Sequence, residues 1–145
     1  MLTTSTDEST TDGISDATGE SRLRLVLNTN ATTSGLGGLA ALLLGGPVDD
    51  LLGTGDVPWV RLVGAGLVLF AAFVAWTARA SRARLIRDTP AISVGDAAWV
   101  IGTVATIALG WYTTSGVVVM GLVGVMVATF GTMQALLMRQ LRSDH

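Results

Sequence analysis

Six polar residues stand out because they occur inside or beside apolar stretches: Asn28, Asn30, Thr33, Ser34, Asp96 and Gln134. Asn30, Thr33 and Ser34 share one helical face at i, i+3 and i+4. Asp96 is the only carboxylate within an apolar run, in GDAAWVIG, and Gln134 falls late in the last such run. An ionisable group at that depth suits a polar pocket or proton-accepting vestibule, since charges in an apolar medium are rarely retained without a role. A purely structural reading is also available. Asp96 follows Ser93 and Gly95, so it can N-cap a helix, and Asn and Gln can tie helices together by hydrogen bonds worth about 1 kcal/mol.

Other chemistries lack their parts. The only histidine is His145 and there is no cysteine, which excludes thiolate chemistry and leaves no set of metal ligands. No Walker A, H-E-x-x-H, EF-hand or G-x-S-x-G pattern occurs. Gly35, Gly37 and Ala40 fit a relaxed G-x-G-x-x-A, but no strand precedes them and the segment reads as membrane helix. No cofactor is expected. A lone Asp without a second carboxylate or histidine makes a poor acid–base set, so an enzyme is disfavoured.

The elements that must position these residues follow from hydropathy. Half of the 145 residues are hydrophobic, 14% are charged and the mean hydropathy is +0.57, more apolar surface than so small a water-soluble core can hide. Four runs, at about 26–46, 58–78, 96–113 and 116–138, approach the roughly 20 residues needed to cross a hydrocarbon core. The expected fold is therefore all-α, a four-helix transmembrane bundle over residues 22–142, its principal partner the lipid bilayer. Residues 1–21 are rich in Ser, Thr, Gly and acids and read as a disordered tail. Arg22 and Arg24 before a Leu-rich run resemble a secretory leader, but its length and acidity favour a retained span.

Segments 47–57, 79–95 and 113–115 read as an acidic Gly/Pro loop, a basic loop containing Pro90 and a tight polar turn. All nine cationic residues are arginines, and with four spans Arg22, Arg24, Arg79, Arg82, Arg84, Arg87, Arg139 and Arg142 share one side. Asp49, Asp50 and Asp56 lie on the other, with Arg61 the single dissenter, expected to snorkel or to pair with a loop acid. The positive-inside rule then places both termini in the cytoplasm and the protein in the inner, cytoplasmic membrane. Trp59, Trp76, Trp99 and Trp111 all fall near expected span ends, as interfacial tryptophans should. The net charge of −2 gives no electrostatic case for nucleic acid.

In the fourth span Gly121, Gly124, Ala128, Gly131 and Ala135 recur at spacings of 3 and 4, a small-residue stripe suited to close helix packing within the bundle or against a second copy. Gly38, Ala41 and Gly45, and Ala71, Ala75 and Ala78, form similar stripes in spans one and two. With RLVGAGLVLFAAFVAW at 61–76 and GDAAWVIG at 95–102, the chain resembles a loose group of small prokaryotic four-span membrane proteins, and in size the DoxX-like proteins. The resemblance implies a four-span bundle and transfers no catalytic residue. The function expected is that of a structural or accessory membrane subunit, associating with itself or another membrane protein. The alternative is a small carrier or channel using the polar cluster near the cytoplasmic ends of spans one, three and four.

Overall fold

A computed structural model describes the backbone of residues 8–143 and the side chains of residues 17–141. It contains five α-helices and, among the described residues, no strand: α1 (Glu8–Leu43), α2 (Gly45–Leu52), α3 (Val57–Ala78), α4 (Arg82–Ala108) and α5 (Thr114–Ser143). The all-helical expectation holds. Helices α3, α4 and α5 are each long and apolar enough to cross a membrane, and α1 with α2, bent by 101° at Leu44, makes a fourth such unit.

The helix ends explain several departures from the expected boundaries. Residues 8–21, expected as tail, continue α1, while Met1–Asp7 lie outside the described residues. The extension is supported where it meets α5: a Cβ on Gly19 would sit 3.1 Å from Leu141, and Glu20 pairs with Arg24 one turn on at 2.7 Å. Segment 47–57 is not simply a loop, because Pro47 occupies the first turn of α2, where its missing N–H removes no helical hydrogen bond. Gly53 ends α2 in the left-handed region at φ 75°. Asp56 then caps α3, its carboxylate accepting from the Trp59 N–H at 3.0 Å.

The expected basic loop 79–95 is corrected as well. The chain turns over Arg79–Ser81 and resumes at Arg82 as α4, which runs through Pro90. A proline there removes one N–H and is tolerated as a local defect, so sequence punctuation did not end the helix. Helix α4 stops at Ala108, and the turn to α5 occupies residues 109–113 with Gly110 at φ 70°. Trp99 consequently lies deep within α4, not at a boundary.

Helix α1 packs along α3 and α5 along α4, α1 meets α5 between these pairs, and α3 touches α4 only sparsely. Helices α1 and α3 approach through backbone: a Cβ on Gly64 would lie 2.6 Å from Leu42 N and 2.8 Å from Gly38 O, and one on Gly38 2.9 Å from Gly64 O. Only glycine permits this backbone contact, so the Gly38–Gly64 crossing is a small-residue seam between α1 and α3.

A core of Leu23, Leu27, Ala31, Val74, Ala78, Leu85, Ile92, Met138 and Leu141 joins all four long helices toward the end that carries Arg79, Arg82, Arg84 and Arg87. Arg24 strengthens that end by donating to the Ala78 carbonyl at 2.5 Å, at the negative terminus of α3. At the opposite end the two turns are tied together, since Thr113 N–H donates to Leu52 O at 2.9 Å and Ser115 Oγ to Leu51 O at 3.0 Å. Elsewhere the large apolar side chains point outward, Leu43, Leu69, Ile101 and Leu122 among them.

Candidate functional site

Between these two ends lies a buried polar network built on α1, α4 and α5. Asp96 is 2% exposed, and Asn30 and Gln134 are fully buried. Asn30 Nδ2 donates to Asp96 Oδ2 at 2.9 Å and to Oδ1 at 3.2 Å, and Gln134 Nε2 donates to Oδ2 at 2.9 Å. Each amide is oriented from behind by a serine: Ser34 Oγ donates to Asn30 Oδ1 at 3.0 Å and Ser93 Oγ to Gln134 Oε1 at 3.1 Å. With the amide oxygens thus engaged, both NH2 groups face the carboxylate. The carboxylate receives only neutral donors, and among the described residues no cation pairs with it.

The helical geometry accounts for this convergence. Asn30 and Ser34 stack at i, i+4 on α1, and Ser93 and Asp96 at i, i+3 on α4. Gly131 on α5 faces Asp96 on α4, where an added Cβ would make an ordinary contact at 3.6 Å with the Asp96 Cβ. Of the six polar residues expected to cluster, four do so: Asn30, Ser34, Asp96 and Gln134. Thr33 instead donates to the carbonyls of Thr29 and Asn30 at 3.0 and 3.1 Å, and Asn28 is exposed on the outer face of α1. Ser93 belongs to the network and was missed, although its spacing from Asp96 places it on the same face.

N-capping does not explain Asp96, which is 14 residues into α4. Asn30 lies five residues before Gly35, whose Cβ position meets Ala71, and so toward the arginine-bearing end of α3. A Cβ on the adjacent Gly95 would sit 2.8 Å from the Phe70 ring, and Phe70 is roughly 4 Å from the midpoint of α3 at 1.5 Å per residue.

On its outer side the network borders an open groove of about 530 Å3 between α4 and α5, whose lining includes Ser93, Asp96, Val100, Ala128, Ala135 and Arg139. The stripe in α5 divides here. Gly124 and Gly131 face Thr103 and Asp96, Ala128 and Ala135 line the groove, and an added Cβ on Gly121 would touch nothing within 4 Å.

The remaining candidates are structural in setting. Asp49, 8% exposed, accepts from Thr54 Oγ1 and from the Asp56 N–H at 3.3 Å, which fastens the α2–α3 connection. Arg61 is exposed, with its stem against Gly45. Gly35, Gly37 and Ala40 lie within α1 without the strand and turn that phosphate binding requires. Among the described residues no three His, Cys, Asp or Glu side chains come together as metal ligands. The chain matches no protein-family model, and no curated protein or solved structure shows significant similarity to it.

Proposed function

We propose that the protein is a small proton-exchanging carrier of the cell membrane, crossing it four times with both termini in the cytoplasm, and that Asp96 is the group that takes up and releases the proton. The spanning reading is supported by four apolar helical units whose large side chains face outward, an exterior that water would not tolerate and lipid would. Orientation is supported by Arg79, Arg82, Arg84 and Arg87 at one end and Asp49, Asp50 and Asp56 at the other.

The observation that carries the carrier reading is a carboxylate buried among apolar helices, held by three amide N–H contacts and, among the described residues, lacking a counter-ion. For helix cohesion alone an asparagine or an apolar residue would serve as well, since replacing a buried charge with a neutral group is often neutral or stabilising. Retaining the acid makes sense if its ionisation is used. The accessory-subunit reading draws on the same network as a tie between α1, α4 and α5 and on the Gly38–Gly64 contact.

The two readings diverge at Asp96→Asn, which keeps the shape and removes the titration. Infrared spectra of the protein in liposomes, followed from about pH 4 to about pH 9, should contain a protonated-carboxyl C=O band that titrates in the wild type and is absent from the variant. A spectrum with no Asp96-dependent titration, together with a stability change alone, would reject the carrier and leave the structural subunit.

A further inference from the structure

The groove between α4 and α5 is not explained by proton exchange at Asp96, because it runs on past that residue to Arg139 at one end and to Val100 and Ile101 at the other. Its dimensions follow from the register of the two helices. Ser93 lies opposite Gln134, Asp96 opposite Gly131 and Thr103 opposite Gly124, so the same antiparallel register sets Arg139 level with Asp88. Arg139 is therefore roughly 12 Å from the Asp96 level and roughly 16 Å from the midpoint of α3. In the spanning reading, on which this inference rests, that is the edge of a hydrocarbon core about 30 Å thick.

The groove continues from Arg139 to Val100 and Ile101, a rise of roughly 18 Å along α4, about the depth of one leaflet. Its walls between are apolar and small, with Ala97, Ala128 and Ala135 leaving the space that larger side chains would fill. Arg139 is exposed and makes no ion pair or hydrogen bond among the described residues, and it stands on the face where Pro90 and Met138 widen the groove.

We infer that this groove is a binding site for one anionic phospholipid, an acyl chain lying along Ala135, Ala128 and Val100 with the phosphate on Arg139. Charge selects the lipid class: the same end carries Arg79, Arg82 and Arg84, whereas its described acids, Glu20 and Asp88, are paired with Arg24 and Arg87, each at 2.7 Å. A guanidinium at the hydrocarbon edge reaches a phosphate by snorkelling and binds it with charge-assisted hydrogen bonds.

Native mass spectrometry of the full chain in mild detergent, titrated with palmitoyl-oleoyl phosphatidylglycerol or its phosphatidylcholine counterpart, tests this directly. The wild type should hold one phosphatidylglycerol saturably and prefer it about tenfold, the value expected for one charge-assisted contact. Arg139→Gln should abolish the preference while leaving weak binding of both lipids, and Ala128→Phe, on the exposed groove wall, should remove both. Equal binding of the two lipids by the wild type, or an unchanged preference in Arg139→Gln, would overturn the site. So would a dimer that disappears in Ala128→Phe without loss of lipid, because the occupant would then be a second copy. Asp96→Asn separates this inference from the carrier reading, since its lipid preference should equal that of the wild type.

Discussion

Replacing Gly64 with alanine adds a single methyl group at the closest point of the α1–α3 contact. The new Cβ would lie 2.6 Å from Leu42 N, 2.8 Å from Gly38 O and 2.9 Å from the Ala41 Cβ. Two of these neighbours are backbone, so no rotamer change relieves them. Restoring an ordinary 3.4 Å contact requires the helices to separate by about 0.8 Å, and packing loosens along the whole pair. Overpacking of this kind costs about 1–3 kcal/mol.

Alanine is also the better helix former, by about 0.8–1 kcal/mol, which would partly mask the effect in a single variant. Gly66, two residues along the same helix, supplies the control, because a Cβ there meets nothing within 4 Å. The propensity gain is common to both substitutions and cancels between them. Gly64→Ala should therefore be less stable than Gly66→Ala by about 1–3 kcal/mol, with Gly66→Ala at or slightly above the wild type. Unfolding in mixed micelles, followed by circular dichroism, measures the difference. Equal stabilities would mean that α1 and α3 do not approach through glycine at this point, and the account of their packing would fail.

Arg24→Gln removes the bond to the Ala78 carbonyl and the pair with Glu20, and should cost about 1 kcal/mol in the same unfolding assay, its partial exposure limiting the loss. Thr113→Val with Ser115→Ala leaves the Thr113 N–H bond to Leu52 intact but deletes the hydroxyl ties to Leu51 and Leu52, and should cost about 1–2 kcal/mol. Hydrogen exchange should increase in residues 109–116 and not near Asp96. Single cysteines at Gly53, Ser81 and Ser115 of this cysteine-free chain should react with an impermeant thiol reagent on intact cells only at Gly53 and Ser115, and labelling at Ser81 would reverse the proposed orientation.

Hydropathy and residue spacing went far in this chain because an apolar helix satisfies its own backbone and therefore forms as a unit along each apolar run. The third run of the sequence begins near Asp96, however, whereas α4 begins at Arg82. Hydropathy marks where side chains become apolar, and a helix has no obligation to stop there. Pro90 and the arginines read as loop because local rules weigh a missing N–H and charge, while the packing of Leu85, Thr89 and Ile92 in the interior outweighs both.

That misplaced start moved Trp99 to a boundary and offered N-capping as the explanation of Asp96. The company of Asn30, Asp96 and Gln134 was still legible, as the rare polar groups in apolar helices tend to find each other. Ser93 was less visible, being an ordinary hydroxyl in a stretch read as loop. The pairing of Gly38 with Gly64 depends on which helix lies beside which, and several glycine stripes of equal quality left that choice open in one dimension.

The sparse contact between α3 and α4 makes the molecule a pair of hairpins, and Asp96 on α4 is one of the places where they are fastened, through the amide of Asn30 on α1. Fastening and protonation then share one free energy. If the carboxylate has different proton affinities in the joined and parted arrangements, linkage requires the joining equilibrium to shift with pH by the same amount. A proton arriving at Asp96 acts as a ligand of the assembly, and mechanical separation of the hairpins acts on the proton.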